Sequence, residues 1–415
     1  MQNREKSVFW RFFLVYIKKK YYLCAVFGIF NDNFPPILDG VALTAQNYAY
    51  WLNEKGYDVS VVTPYAPNSR EVIQSAKYPI YRYPSVPIPF RYPYRYGLPH
   101  ASLSFLRTWL GLHFELVHAH CPFTSGTLAK SVAKRQEIPL VATFHSKYRQ
   151  DFEHNVPSKP VVDWMIKQVI AFFDAADEVW IPLPAVEETL REYGYKGPVT
   201  VVENGNDFSA PIDEIEIMRA QMREELGILT NELMLLYVGQ HTWEKNIRFT
   251  LESLAQIKDK PFQFFMVGTG YAVREIRRLV VELGLYGKVT LLGNIHDRER
   301  LKRIYSAADL FVFPSFYDTC GLVVREAAAM HTPSMMLEGS TASTAIKDGV
   351  DGFVCPNDTE LFAQRIVKLM EQPQLITKVG NKASNTLSRS WENVMDEVIL
   401  RYRDIQQSYK LKHGK

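Results

Sequence analysis

Cysteine is scarce in this chain. Cys24, Cys121, Cys320 and Cys355 are the only four in 415 residues, far apart and without a CxxC pair. That rules out a disulfide scaffold, argues against a structural zinc site and points to a thiol-reducing compartment. Several chemical signatures are missing as well. There is no GxxxxGK[ST] phosphate loop and no GxSxG nucleophile elbow. No two Asp residues stand two apart, so an Asp-x-Asp metal–phosphate motif is lacking, and no third metal ligand joins His118 and His120 at a recognisable spacing. Gly268-Thr-Gly270 lacks the third glycine of a dinucleotide fingerprint. A dominant charge is absent too: 48 Lys plus Arg face 45 Asp plus Glu, a net of +3.

That small charge is unevenly placed. Residues 1–22 hold Arg4, Lys6, Arg11, Lys18, Lys19 and Lys20 against Glu5, a local net of +5, and the remaining residues carry −2. A near-neutral body disfavours nucleic-acid binding. Within the leading segment, VFWRFFLVYI (8–17) is apolar apart from Arg11. Ten residues rise only about 15 Å as a helix, half of a bilayer core of about 30 Å. KKKYY follows where a secretory signal would carry a small-residue cleavage site. One reading is a surface anchor, with Phe and Trp in the membrane interface and Lys and Arg on anionic headgroups. The other is a tail packed on the protein, or a plain extension. The expected location is cytoplasmic, with peripheral attachment to the inner face of the membrane on the first reading.

Length and a hydrophobic content of 47% predict two globular domains. Apolar runs at 22–30, 58–64, 115–120 and 139–146 read as strands, with helical patterns at 41–56 and 125–136 between them. The pattern restarts after a polar, turn-rich linker at 203–214, with strands at 233–240, 262–270, 289–295 and 309–315. Strands alternating with helices imply α/β architecture with parallel, doubly wound sheets, whose continuous Val/Ile/Leu runs suit burial on both faces. Residues 391–409 read as a long amphipathic helix. The segment 78–100 has six Pro, six Tyr, three Arg and no acid, which excludes a regular helix or central strand. It reads either as a sugar- or headgroup-stacking loop or as a cover over a sheet edge.

Three places carry candidate chemistry. In FPSFYDTCGLVVREAAA (313–329) a strand end runs through a loop with Asp318 into a helix starting near Gly321. A helix N-terminus offers unpaired N–H groups to a phosphate, and glycine allows close approach of a ligand to the backbone. Asp318 and Glu326 then read as acceptors for sugar hydroxyls, or more plainly as a helix-capping Asp and a surface Glu. In VGQHTWEKN (238–246), Lys245 follows a strand end, where a cation can neutralise a leaving phosphate. In VHAHCPFTSG (117–126), His118 and His120 sit two apart on one strand face; His118 reads as core and His120 as facing a ligand crevice.

As an ordered set, NDNFPPILDGVA, VHAHCPF, ENGND, YVGQHTWEKN and YDTCGLVVREAAA resemble the retaining glycosyltransferases of family 4. The resemblance runs from about Leu23 to Tyr402. It implies the GT-B fold: two facing Rossmann-like domains with a cleft between them. Residues 23–205 plus about 395–415 would form the acceptor-side domain, and 206–394 the nucleotide-sugar domain. It further implies that Gly40 approaches the donor diphosphate and that His120 contacts the donor sugar near the reacting carbon. Asp318 and Glu326 would follow E-x7-E, on sugar hydroxyls and nucleotide ribose respectively. Backbone N–H groups around Cys320, Gly321 and Leu322 would face the diphosphate or sugar, and Lys245 would neutralise it. Gln240 stands where the family carries Arg, and Asp318 is one methylene shorter than the family's Glu.

The implied activity is hexose transfer from a UDP- or GDP-sugar, with retention, to a lipid or glycan hydroxyl. The implied mechanism needs neither cofactor nor metal, because the leaving diphosphate takes the acceptor proton. A non-catalytic sugar-nucleotide-binding protein and a sugar-nucleotide epimerase are the competing expectations.

Overall fold

The computed structural model describes residues 26–37, 39–89, 93–319 and 321–414. The basic segment 1–22, residues 90–92 and Cys320 lie outside the described residues. Two compact units form: one takes residues up to Thr143, Ala171–Val179 and the chain from Val398; the other takes Phe144–Ile170 and Trp180–Glu397.

The first sheet has seven strands in the order β3-β2-β1-β6-β7-β8-β9. They are β1 Val26–Phe30, β2 Asp58–Pro64, β3 Ile80–Tyr83, β6 Leu116–Ala119, β7 Leu140–Thr143, β8 Glu178–Ile181 and β9 Thr200–Val201. Neighbours β3–β2, β2–β1, β1–β6 and β6–β7 pair in parallel. The proline-rich segment supplies the edge strand β3 and a small antiparallel hairpin, β4 Ser85–Pro87 with β5 Arg95–Gly97. An edge is where proline's missing N–H does least harm.

The second sheet has six parallel strands in the order β12-β11-β10-β13-β14-β15. They are β10 Leu233–Val238, β11 Phe262–Val267, β12 Val289–Gly293, β13 Leu310–Phe313, β14 Ser334–Leu337 and β15 Phe353–Cys355. Alternation along β10 divides its side chains between two cores. Leu233, Leu235 and Tyr237 join one cluster, and Met234, Leu236 and Val238 the other. Both faces are therefore buried under helices, which explains why β10 reads as an unbroken apolar run.

Local signals set the helix boundaries. Asp39 caps the helix Gly40–Glu54 by accepting from the Ala42 N–H at 2.7 Å. The linker ends three residues before the expected boundary, because Pro211 starts the helix Ile212–Glu225. Asp213 and Glu214 in its first turn complement the helix dipole. The last helix, Trp391–Lys412, returns the chain to the first unit, where Tyr402 is completely buried.

In each sheet the strand order reverses once, between β1 and β6 in the first and between β10 and β13 in the second. Ligands of doubly wound sheets bind beyond the carboxyl ends of the strands at such a switch point.

Candidate active site

In the second unit, the loops leaving β10 and β13 are adjacent, and each carries one of the candidate residues. After β10 come exposed Gln240, fully buried His241 and the short turn Trp243–Lys245. The Gln240 carbonyl accepts from the Tyr237 hydroxyl at 2.9 Å. Asn246 adopts a left-handed conformation (φ 58°), and its side-chain amide donates to the Pro314 carbonyl at 3.3 Å. This bond ties the Lys245 turn to the end of β13.

Lys245 Nζ donates to Asp318 Oδ1 at 2.6 Å and lies 4.9 Å from the centre of the Tyr317 ring. The pair is mostly out of solvent: the Lys245 side chain is 12% exposed and that of Asp318 22%. Asp318 Oδ2 is buried and has no hydrogen-bond partner among the described residues. Asp318 is thus not the cap of the following helix. Gly321 occupies that position in a left-handed conformation (φ 59°), ahead of Leu322–Ala329. A second lysine, Lys147, donates to the Phe316 carbonyl in the same loop at 2.8 Å, and burial lowers its pKa although Asp318 opposes the shift.

Glu326 is not a surface carboxylate; it is 6% exposed. Its Oε1 accepts from Arg298 Nη2 at 2.7 Å and its Oε2 from the Tyr305 hydroxyl at 2.9 Å. Arg298 also binds both oxygens of Asp207, with Nε at 3.0 Å from Oδ2, and lies 4.4 Å above the Phe208 ring. Burial alone would lower the Arg298 pKa; the Glu326 and Asp207 carboxylates override it and push the pKa up. Burial, reinforced by Glu326, raises the Tyr305 pKa far above its usual value and keeps the hydroxyl a donor.

The first unit holds Gly40 and His120. Gly40 is the exposed first residue of its helix, after the Asp39 cap, and Asn33 Nδ2 donates to Asp39 Oδ2 at 3.1 Å. His120 follows β6 and is held by a 2.8 Å bond from its N–H to the Phe30 carbonyl. Its side chain is fully buried instead of lying open at a crevice. The ring stacks on His118 (centroids 4.2 Å apart) and meets the edge of Tyr48. His118 has a core role: Nδ1 pairs with the Tyr402 hydroxyl at 2.6 Å and Nε2 with Thr143 Oγ1 at 2.7 Å. Cys320, expected at the same helix start, lies outside the described residues.

Comparison with known proteins decides what this arrangement belongs to. Residues 38–209 match the family described as Glycosyltransferase Family 4, and residues 232–372 match Glycosyl transferases group 1. The chain is a family 4 glycosyltransferase. Curated relatives of this glycosyltransferase include the alpha-monoglucosyldiacylglycerol synthase of Streptococcus pneumoniae, 24% identical over 84% of this chain and 79% of that protein. The enzyme of the same name from Acholeplasma laidlawii is 23% identical over 86% and 91%. The alpha-D-kanosaminyltransferase of Streptomyces kanamyceticus is 26% identical over 77% and 87%. Among solved structures, HepE of Anabaena in complex with UDP and glucose aligns with a TM-score of 0.74 at 17% identity, covering 91% of this chain and 99% of that one. Sucrose-phosphate synthase of Thermosynechococcus elongatus aligns with a TM-score of 0.77 at 22% identity, covering 92% and 99%. At these identities the structural likeness establishes the GT-B fold and its two Rossmann-like domains.

Arg298, Tyr305, Asp207 and Lys147 of this glycosyltransferase were not found from the sequence. Only the register of DRERL at 297–301, where Asp297 caps a helix by accepting from Glu299 and Arg300 N–H groups, offered a local hint that Arg298 opens an element. Among the described residues no three His, Cys, Asp or Glu side chains assemble as a metal site. No described helix is long and apolar enough to cross a membrane.

Proposed function

We propose that this glycosyltransferase moves a hexose from a UDP- or GDP-sugar to a hydroxyl of a lipid or glycan, with retention at the anomeric carbon. One observation carries the reading. At the β10/β13 switch point, Asp318 gives one oxygen to Lys245 and keeps the other, buried, without a protein donor. A carboxylate oxygen in that state needs a hydroxyl, and an adjacent ammonium suits a diphosphate. Lysine has three N–H donors, so Lys245 can hold Asp318 and still serve a departing oxygen.

In this scheme Asp318 accepts from donor-sugar hydroxyls and Glu326 from the ribose. The helix start at Gly321 and Leu322 turns N–H groups to the diphosphate. The resemblance also gives Gly40 and His120 of the first unit roles at the donor; Gly40 is exposed there, whereas the His120 ring is buried against His118 and Tyr48. The acceptor oxygen bonds to the anomeric carbon on the face from which the diphosphate leaves, and the diphosphate takes the acceptor proton. The protein's contribution is positioning and stabilisation of the leaving charge. The scheme uses no metal and no cofactor.

A lipid acceptor is supported by the names of two relatives, both glucosyldiacylglycerol synthases. The aromatic, basic segment 1–22 supports it as well. Gln240 and the shortened Asp318 favour a second reading, a sugar-nucleotide binder without turnover. The test is a panel of UDP- and GDP-hexoses incubated with purified full-length protein and with diacylglycerol vesicles or soluble glycans. Acceptor-dependent release of nucleotide and an α-linked product from an α-linked donor are expected. Binding without release establishes the second reading, and an epimerised nucleotide sugar without acceptor establishes epimerase chemistry. Flotation of the full-length chain on anionic liposomes, against a chain beginning at Tyr22, checks the anchor; equal flotation refutes it.

A further inference from the structure

Both oxygens of Glu326 are already engaged by the protein, each by a different residue. We propose that Arg298 and Tyr305 are positioning residues that set Glu326 to read the donor ribose, and that Asp207 and Phe208 in the connecting segment hold Arg298 in place. The inference rests on the reading that Glu326 meets the ribose.

A carboxylate has about four acceptor lone pairs, two on each oxygen. Arg298 takes one on Oε1 and Tyr305 one on Oε2, so each oxygen keeps one. Two acceptor positions at the spacing of a carboxylate match two vicinal hydroxyls, and a ribose carries such a pair. The two protein donors also fix the plane of the carboxylate. A free Glu would rotate about its last torsion, which is broad, and would lose part of its binding energy to that freedom.

The donors themselves are anchored. Tyr305 is fully buried, and its carbonyl accepts from Thr332 Oγ1 at 2.7 Å. Arg298 opens the helix Arg298–Ala307, behind the Asp297 cap. Its guanidinium is pinned by Asp207 on one edge and by the Phe208 ring beneath. Phe208 is itself placed by the Asn206 side chain, whose Oδ1 accepts from the Phe208 N–H at 2.9 Å while Nδ2 donates to the Arg389 carbonyl at 3.0 Å. The segment Asn206–Phe208 therefore serves the nucleotide site as well as connecting the chain.

The rival account is that Glu326 only neutralises a half-buried Arg298. The two accounts differ in what they predict for ribose discrimination. The experiment is calorimetric titration of the full-length protein with UDP, 2′-deoxy-UDP, GDP and 2′-deoxy-GDP, with the thermal transition recorded in parallel. For the nucleotide that binds, the wild type is expected to disfavour the deoxy form about tenfold or more. Arg298→Met should bring that ratio to about threefold or less, Tyr305→Phe should lower it by a smaller factor, and Arg298→Lys should restore part of it. Where Arg298→Met does not fold, Tyr305→Phe and Arg298→Lys carry the test. An unchanged ratio in both Arg298→Met and Tyr305→Phe, with only the thermal transition lowered, overturns the proposal. An unchanged ratio in Glu326→Gln overturns the ribose reading beneath it.

Discussion

Replacing Lys245 by methionine separates what the lysine does for the fold from what it does for the reaction. The stem is kept and the charge removed. Asp318 is then left as a carboxylate 22% exposed, with one oxygen stripped of its 2.6 Å partner and the other already without one. Breaking a fully buried pair costs about 3–5 kcal/mol; this pair is partly wet, so about 2 kcal/mol is expected. In a unit of this size that lowers its melting transition by roughly 4–8 °C. Two units need not unfold together, so the transition to follow is the one that bound nucleotide shifts. Turnover falls further than stability suggests. Loss of one preorganised donor to a developing oxyanion costs about 10²–10³-fold in kcat. Initial rates of nucleotide release at saturating donor measure it. The double variant Lys245→Met/Asp318→Asn removes the stranded charge and should regain most of the melting temperature and none of the rate. A Lys245→Met rate within about threefold of wild type would refute the catalytic assignment, as would a double variant that recovers its rate.

Three further outcomes follow from other residues. Gly321→Ala forces a side chain into a left-handed position, at about 1–2 kcal/mol, with its Cβ 3.1 Å from Val324 Cγ2 and 3.2 Å from the Phe313 ring; thermal scans should show a loss of several degrees and kinetics a raised donor KM, and an unshifted transition contradicts the left-handed geometry. Gln240→Arg adds the cation the resemblance expects at an exposed position, so only about 0.5–1 kcal/mol is anticipated, a two- to fivefold lower donor KM; no change in KM means residue 240 does not face the diphosphate. Burial lowers the pKa of His145 to about 3 and of His241 to about 4, below the usual 6.5. The unfolded chain therefore gains protons first as pH falls, and stability that is complete above pH 6.5 declines by about 1.4 kcal/mol per pH unit for each histidine, down to those values. Melting temperatures between pH 7 and 5 read this slope, which His241→Leu should reduce; an unaltered slope in that variant counts against the buried neutral state.

Strand ends were the legible part of this molecule, because the signal there is local. An unbroken apolar run such as LMLLYV, followed by glycine and a polar loop, identifies β10 and places Lys245 beyond its end without any knowledge of the partner strand. The same holds for β13, Asp318 and Gly321. The two-residue β9 carries too little pattern to stand out. What the sequence left open was the choice between a functional and a plain role for each carboxylate. Asp318 could cap a helix and Glu326 could lie on the surface, and nothing within eight residues decides either. The decisive contacts are remote: Lys245 reaches Asp318 across 73 positions, Arg298 reaches Glu326 across 28 and Asp207 across 91. Which strand ends become neighbours depends on strand order, and strand order is set by packing of the whole sheet. A single-chain reading therefore supplies candidates at every strand end, and the reversal of order between β10 and β13 selects among them. That selection explains why Lys245 and Asp318, drawn from different motifs, form one ion pair. It also explains why the groups that orient Glu326 had no signature of their own: an Arg at a helix start and a Tyr at a helix end are ordinary in sequence, and only the turn of the fold that faces them toward one carboxylate makes them a pair.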